Sequence, residues 1–191
     1  MRYYHNSTFL PQKQRLPSVI DNGASLRDTF MRMVEYYDPN KSRNKKTAVL
    51  DATSVYIWDE HKMNLFNVTK TNNMRGSVRK HRYDIIMYEP PRNNQCYAAT
   101  AENSRLFRSL LAKGGTLIIR ASDFKTKGDT RLRGTFDIKS ATERAGFVLV
   151  DQIIYRHRDT IKISNPEPEE TCSIVHSSFL IFKPSGTKPK R

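Results

Sequence analysis

The sequence predicts an α/β fold: a mostly parallel sheet with helices on its faces and an antiparallel β-hairpin at its C-terminal end. Three observations predict it. Short apolar runs, TAVLDA (47–52), YDIIMY (83–88) and TLIIR (116–120), have the continuous hydrophobicity of strands buried on both faces. Segments with helical spacing of apolar residues alternate with them, which argues for parallel strands joined by crossover helices. Finally, FVLVDQIIYRH (147–157) and SSFLIFKP (177–184) are two strands in succession, and a strand that follows a strand directly pairs with it antiparallel.

In chain order, residues 1–23 carry Pro11, Pro17 and Gly23 with little periodicity and read as an extended arm that packs on the domain or trails from it. Ser25 is placed to cap a helix in which Leu26, Phe30, Met33, Val34 and Tyr37 share one face, ended by Asp38-Pro39-Asn40. TAVLDA is the first strand of the sheet. Residues 52–82 are less regular: Val55 to Trp58 suit a strand continuation or a helix start, and LFNVTKT (65–71) has strand composition. Residues 97–112 read as a helix with Tyr97, Ala98, Leu106, Phe107, Leu110 and Leu111 as its stripe, stopped by Lys113-Gly114-Gly115. A basic loop (121–134) leads to a helix from Phe136 to Ala145, closed by Gly146. The segment between the last two strands contains Pro166, Pro168 and Glu167, Glu169 and Glu170, and reads as a mobile loop. The domain thus runs over 24–184, followed by a basic tail, 185–191, read as disordered.

A length of 191 residues suits one domain with a sizeable core. The chain has no run long and apolar enough for a membrane span, and its N-terminus lacks the apolar segment of a signal peptide. Cys96 and Cys172 make no metal pattern, the five histidines have no ligand spacing, and a reducing, cytoplasmic compartment is the expectation. Charge is more informative. Thirty-three Lys and Arg against nineteen Asp and Glu leave +14, spread over 42–46, 75–82, 124–133 and 183–191. Such a field favours a polyanion through counterion release, so nucleic acid is the expected partner.

The stretch Asp84-Ile85-Ile86-Met87-Tyr88-Glu89-Pro90-Pro91-Arg92 organises the rest. Two prolines end the strand because neither donates to a sheet ladder. They leave a carboxylate, two stiffened peptide units and a guanidinium in a turn at the strand's carboxyl end, where open α/β sheets bind ligands.

Taken together, TAVLDATS (47–54), YDIIMYEPPR (83–92) and LLAKGGTLIIR (110–120), followed by AGFVLVDQIIYRHR (145–158) and SSFLIFKP, resemble the class I, Rossmann-like S-adenosylmethionine-dependent methyltransferases. The likeness is to those that methylate exocyclic amino groups of nucleic-acid bases at an Asp-Pro-Pro-Tyr type of tetrapeptide. The resemblance covers about residues 24–184 and implies a seven-stranded-type sheet, complete or shortened. It implies S-adenosylmethionine as cofactor, held by Asp51, Ala52, Thr53, Ser54, Thr71 and Asn72, no metal, and a catalytic set Glu89, Pro90, Pro91 and Arg92. Two features depart from the family pattern. The turn after the first strand has no Gly where the backbone approaches the cofactor, and Glu89 and Arg92 replace the usual Asp or Asn and the usual aromatic residue.

The expected chemistry is methyl transfer to a base amino group in RNA or DNA, adenine preferred, with the Glu89 carboxylate and Pro90 carbonyl accepting the amino protons. Arg92 would stack on a base or pair with a phosphate. The alternative is a methyltransferase-like nucleic-acid-binding module or partner subunit without turnover, for which the missing Gly turn and Arg92 speak. Asp123 reads as a loop cap rather than a catalyst, and Trp58 as core rather than as a flank for adenine.

Overall fold

In the computed structural model, the described residues are 19–20, 26–40, 46–54, 58–59, 65–71, 82–91, 95–123, 134–161 and 174–186, the side chains of 19–20, 156–161 and 174–176 excepted. Arg92, Asn72, the Ser25 cap, residues 55–57 and most of the basic and acidic loop segments lie outside them.

The elements are β1 (Val19–Ile20), α1 (Leu26–Tyr36), β2 (Thr47–Ala52), β3 (Phe66–Lys70), β4 (Tyr83–Tyr88), α2 (Cys96–Leu110), β5 (Leu111–Ala121), α3 (Thr135–Arg144), β6 (Phe147–Ile161) and β7 (Ile174–Pro184). They form one seven-stranded sheet in the order β1-β6-β7-β5-β4-β2-β3. The pairs β2·β3, β2·β4 and β4·β5 are parallel, while β7 runs antiparallel between β5 and β6. The expected α/β class, parallel body and C-terminal antiparallel hairpin are all present.

The central strands are apolar throughout because each buries both faces. Ile85 and Met87 point to one side with Val49, Ile118, Phe179 and Ile181, where Phe30, Met33 and Val34 of α1 cover them. Ile86 and Tyr88 point to the other with Leu50, Leu117, Ile119 and Phe182, against Phe107 and Leu110 of α2 and Ile138 of α3. Strand periodicity of two thus divides one sequence run between two cores.

Val19–Ile20, within the stretch read as an extended arm that packs on the domain or trails from it, pair in parallel with Ile154 and Tyr155. One element differs from expectation. Lys113-Gly114-Gly115, read as the stop of the second helix, lies inside β5, which begins at Leu111 directly after α2. The register with β4 shifts between Tyr83 and Ile85, and Gly114 takes φ 79, so the glycines absorb an irregular strand entry.

Candidate active site

The sheet reverses its winding beside β2, since β3 lies on one side of it and β4 on the other. This reversal is a topological switch point, where connections leave in opposite directions and a crevice opens at the carboxyl ends of the strands. Asp51, Ala52, Thr53 and Ser54 end β2 at this edge, Glu89 and Pro90 follow β4, Thr71 follows β3, and Arg120 lies near the end of β5.

The turn after β2 is built on Asp51, whose side chain is fully buried. Its Oδ1 accepts from the Thr53 backbone N–H at 3.0 Å and the Thr53 hydroxyl at 2.8 Å. Its Oδ2 accepts from Trp58 Nε1 at 2.7 Å and lies 3.6 Å from Lys70 Nζ. Trp58 is only 2% exposed and meets Phe66 edge to face at 5.8 Å, so it belongs to the core on the α1 side, as expected. Thr53 is turned inward, and among the described turn residues Ser54 is the one exposed to solvent.

Glu89 joins the ends of three neighbouring strands. Its backbone N–H donates to Ala52 O at 3.3 Å, and its Oε2 accepts from the Ser54 hydroxyl at 2.6 Å. Its Oε1 is 2.9 Å from Arg120 Nη1, in an ion pair whose side chains are 12% and 6% exposed. Pro90 is buried and Pro91 exposed. Thr71 is held to β2 through its N–H, which donates to Asp51 O at 3.0 Å. The sequence-predicted Asp51, Ala52, Thr53, Ser54, Glu89, Pro90, Pro91 and Thr71 therefore converge on one edge, while Arg92 and Asn72 lie outside the described residues.

Arg120 and Lys70 are the site residues that sequence reasoning missed. Arg120 is the last residue of an apolar strand run, and a basic residue there resembles the start of the basic loop after it. Lys70 sits at the end of β3. Asp123, by contrast, does what was expected of it: its Oδ1 accepts from the Thr135 N–H at 2.8 Å and so caps the start of α3. Among the described residues no group of three His, Cys, Asp or Glu side chains could hold a metal ion, and no helix is long and apolar enough to cross a membrane.

No protein-family model matches the chain, and no curated protein sequence matches it. Among solved structures it is similar to an S-adenosylmethionine-dependent methyltransferase from Leishmania major, at 14% identity over 89% of this chain and 79% of that one, with a TM-score of 0.48. It is also similar to a candidate methyltransferase from Thermoplasma acidophilum, at 9% identity over 75% and 70% of the two chains, TM-score 0.44. A candidate DNA modification methylase from Thermus thermophilus in complex with S-adenosyl-L-methionine is 20% identical over 60% of this chain and 51% of its own, TM-score 0.39. The chain thus spans about half of that Thermus protein. The strand order observed here, a parallel body with antiparallel β7 inserted between β5 and β6, is that of a Rossmann-like α/β sheet.

The turn after β2 lacks Gly, but Thr53 folds its side chain inward onto Asp51, so the turn can still be approached closely from outside, where Ser54 presents a hydroxyl. The end of β3 carries Lys70 and Thr71, with no carboxylate at either position.

Proposed function

We propose that this chain transfers a methyl group from S-adenosylmethionine to an exocyclic amino group of a base in RNA or DNA, adenine preferred. The observation that carries the reading is the meeting of Ser54 and Glu89 across the switch point, 2.6 Å from hydroxyl to carboxylate, at the corner stiffened by Pro90 and Pro91. The cofactor, when bound, would supply a methyl group on a sulfonium; the exposed Ser54 and the end of β3 at Thr71 would hold it, while Thr53 supports the turn from within.

The lone pair of an aromatic amine is delocalised into its ring, and acceptors for the amino protons favour the pyramidal, nucleophilic form. Glu89 and the Pro90 carbonyl are those acceptors. Arg120 and Ser54 hold the carboxylate before a base arrives, so little reorganisation is left for the reaction. Glu89 Oε2, on the Ser54 side, is the oxygen positioned to take the proton that the methylated amine gives up. The excess of basic residues supports nucleic acid as the source of the base.

A second reading, a nucleic-acid-binding module or partner subunit without turnover, is favoured by one observation. The carboxylate of Asp51, at the end of the first central strand, is already engaged by this chain's own Thr53, Trp58 and Lys70. Calorimetry with S-adenosylhomocysteine, together with transfer of labelled methyl groups to RNA and to DNA, decides between them. The enzyme reading expects measurable binding heat and label incorporation that Glu89→Ala removes while cofactor affinity is kept. Absence of heat and label, with oligonucleotide binding retained, decides for the second reading.

A further inference from the structure

The opposite, amino-terminal edge of β5 carries an open cleft of about 350 Å³ between the end of α2, the entry of β5 and the end of β7. Its lining includes Arg108, Lys113, Gly114 and Lys183, with no carboxylate among the described lining residues. We propose that this cleft is a second nucleic-acid contact, a phosphate-binding seat for the backbone of the same strand whose base is presented at Glu89. It rests on the nucleic-acid part of the function proposed above.

The cations are set by the fold. Arg108, in the last turn of α2, donates through Nη2 to Ser185 O at 3.0 Å and through Nη1 to Gly146 O. Lys183 Nζ reaches Gly114 O at 2.6 Å and Thr116 Oγ1 at 2.8 Å. The acceptors of Lys183 are neutral, so they fix its ammonium in place without cancelling its charge. Burial lowers the pKa of Lys183; a phosphate in the cleft would restore the charged form that desolvation disfavours. Lys113 is exposed at the rim.

Capping the C-terminal end of α2 is the competing explanation for Arg108. A helix C-terminus carries about half a negative charge, and Arg108 alone more than offsets it. Lys113 and Lys183 lie beyond the helix and leave the cleft strongly positive. Lysine binds phosphate as a compact point charge and needs no planar partner. From Gly114 to Arg120 the strand rises about 20 Å, a distance matched by roughly six steps of a nucleic-acid helix at about 3.4 Å each. A strand bound at both edges therefore needs only a short segment between the seat and the reacting base.

The test is binding of the full chain to a short single-stranded oligonucleotide of mixed sequence across a range of salt concentrations. Lys113→Glu and Gly114→Asp each place a carboxylate in the cleft. The second uses a residue type that tolerates positive φ, at a position where an added Cβ meets nothing within 4 Å. Both are expected to weaken binding about tenfold and to reduce the salt slope by about one, with unchanged S-adenosylhomocysteine binding; thermal unfolding is unchanged in Lys113→Glu and lowered by only a few degrees in Gly114→Asp, through φ. Wild-type binding with the same slope in both variants overturns the seat and leaves the nucleic-acid reading standing. A wild-type chain that retains no oligonucleotide at low salt overturns both. Inorganic phosphate, titrated at constant ionic strength, should compete only weakly; occupation of the cleft by phosphate alone, with no competition against the oligonucleotide, would reassign it to a small anion.

Discussion

Arg120 and Glu89 form a nearly buried ion pair between the ends of neighbouring parallel strands, Nη1 to Oε1 at 2.9 Å with 6% and 12% of the side chains exposed. Removing one partner of such a pair leaves a charge that has lost both water and its counterion, typically at a cost of about 3–5 kcal/mol. Arg120→Met is therefore expected to destabilise the domain by about 3 kcal/mol in urea unfolding. Glu89→Gln should cost less, because the amide oxygen still accepts from Arg120 while the amide NH2 can donate to the Ser54 hydroxyl oxygen. A loss below about 0.5 kcal/mol for Arg120→Met, the scale of a solvated surface pair, would show that the carboxylate is not held as described.

Asp51 and Trp58 provide an optical probe of the same edge. The chain has a single tryptophan, its indole N–H bonded to a fully buried carboxylate. Asp51→Ala deprives the Thr53 N–H, the Thr53 hydroxyl, the Trp58 N–H and Lys70 of their shared acceptor. The expected cost is about 3 kcal/mol, with red-shifted Trp58 emission and easier quenching by acrylamide. Emission identical to that of wild type in the folded variant would mean that the indole does not depend on Asp51.

The sheet is legible in the sequence because Val49, Ile85, Ile86, Met87, Leu117 and Ile118 are apolar on both parities, which only a doubly covered strand requires. Glu89 is legible as well, since two prolines mark where the strand must end. Arg120 is not: its partner is 31 positions away, and a pairing between the ends of adjacent parallel strands leaves no local spacing to read. The inward turn of Thr53 is equally hidden, because a threonine in a turn has the same sequence whether it faces ligand or core. Lys113-Gly114-Gly115 misleads for a related reason, as the glycines that end a helix also accommodate a bulged strand entry.

Gly134 and Gly114 separate backbone strain from steric exclusion. Both have positive φ, 121° and 79°. A Cβ at Gly114 meets nothing within 4 Å, whereas one at Gly134 would lie 2.2 Å from the Ser122 carbonyl oxygen. Gly114→Ala should cost about 1 kcal/mol through φ alone. Gly134→Ala should cost distinctly more, about 3 kcal/mol, because β5 must shift away from the start of α3. Equal unfolding midpoints for the two variants would contradict the close approach at Gly134.

Cys96 sets a pH limit on stability that one substitution isolates. Burial is the main cause that raises its thiol from 9.0 to about 11, with the Thr100 hydrogen bond acting in the opposite direction. The unfolded thiol begins to lose its proton near pH 9, while the folded one keeps it until about 11. Between these values the unfolded state binds fewer protons, so stability falls as pH rises. The contribution is fully present below pH 9 and declines by on the order of 2 kcal/mol by pH 11. Burial raises the pKa of Tyr88, which acts in the same direction at higher pH, and lowers that of Lys183, which opposes it; both remain in a Cys96→Ala variant. The difference between wild-type and Cys96→Ala urea midpoints should therefore narrow across this interval in favour of the variant. A pH-independent difference would show that the thiol is equally accessible to water in both states.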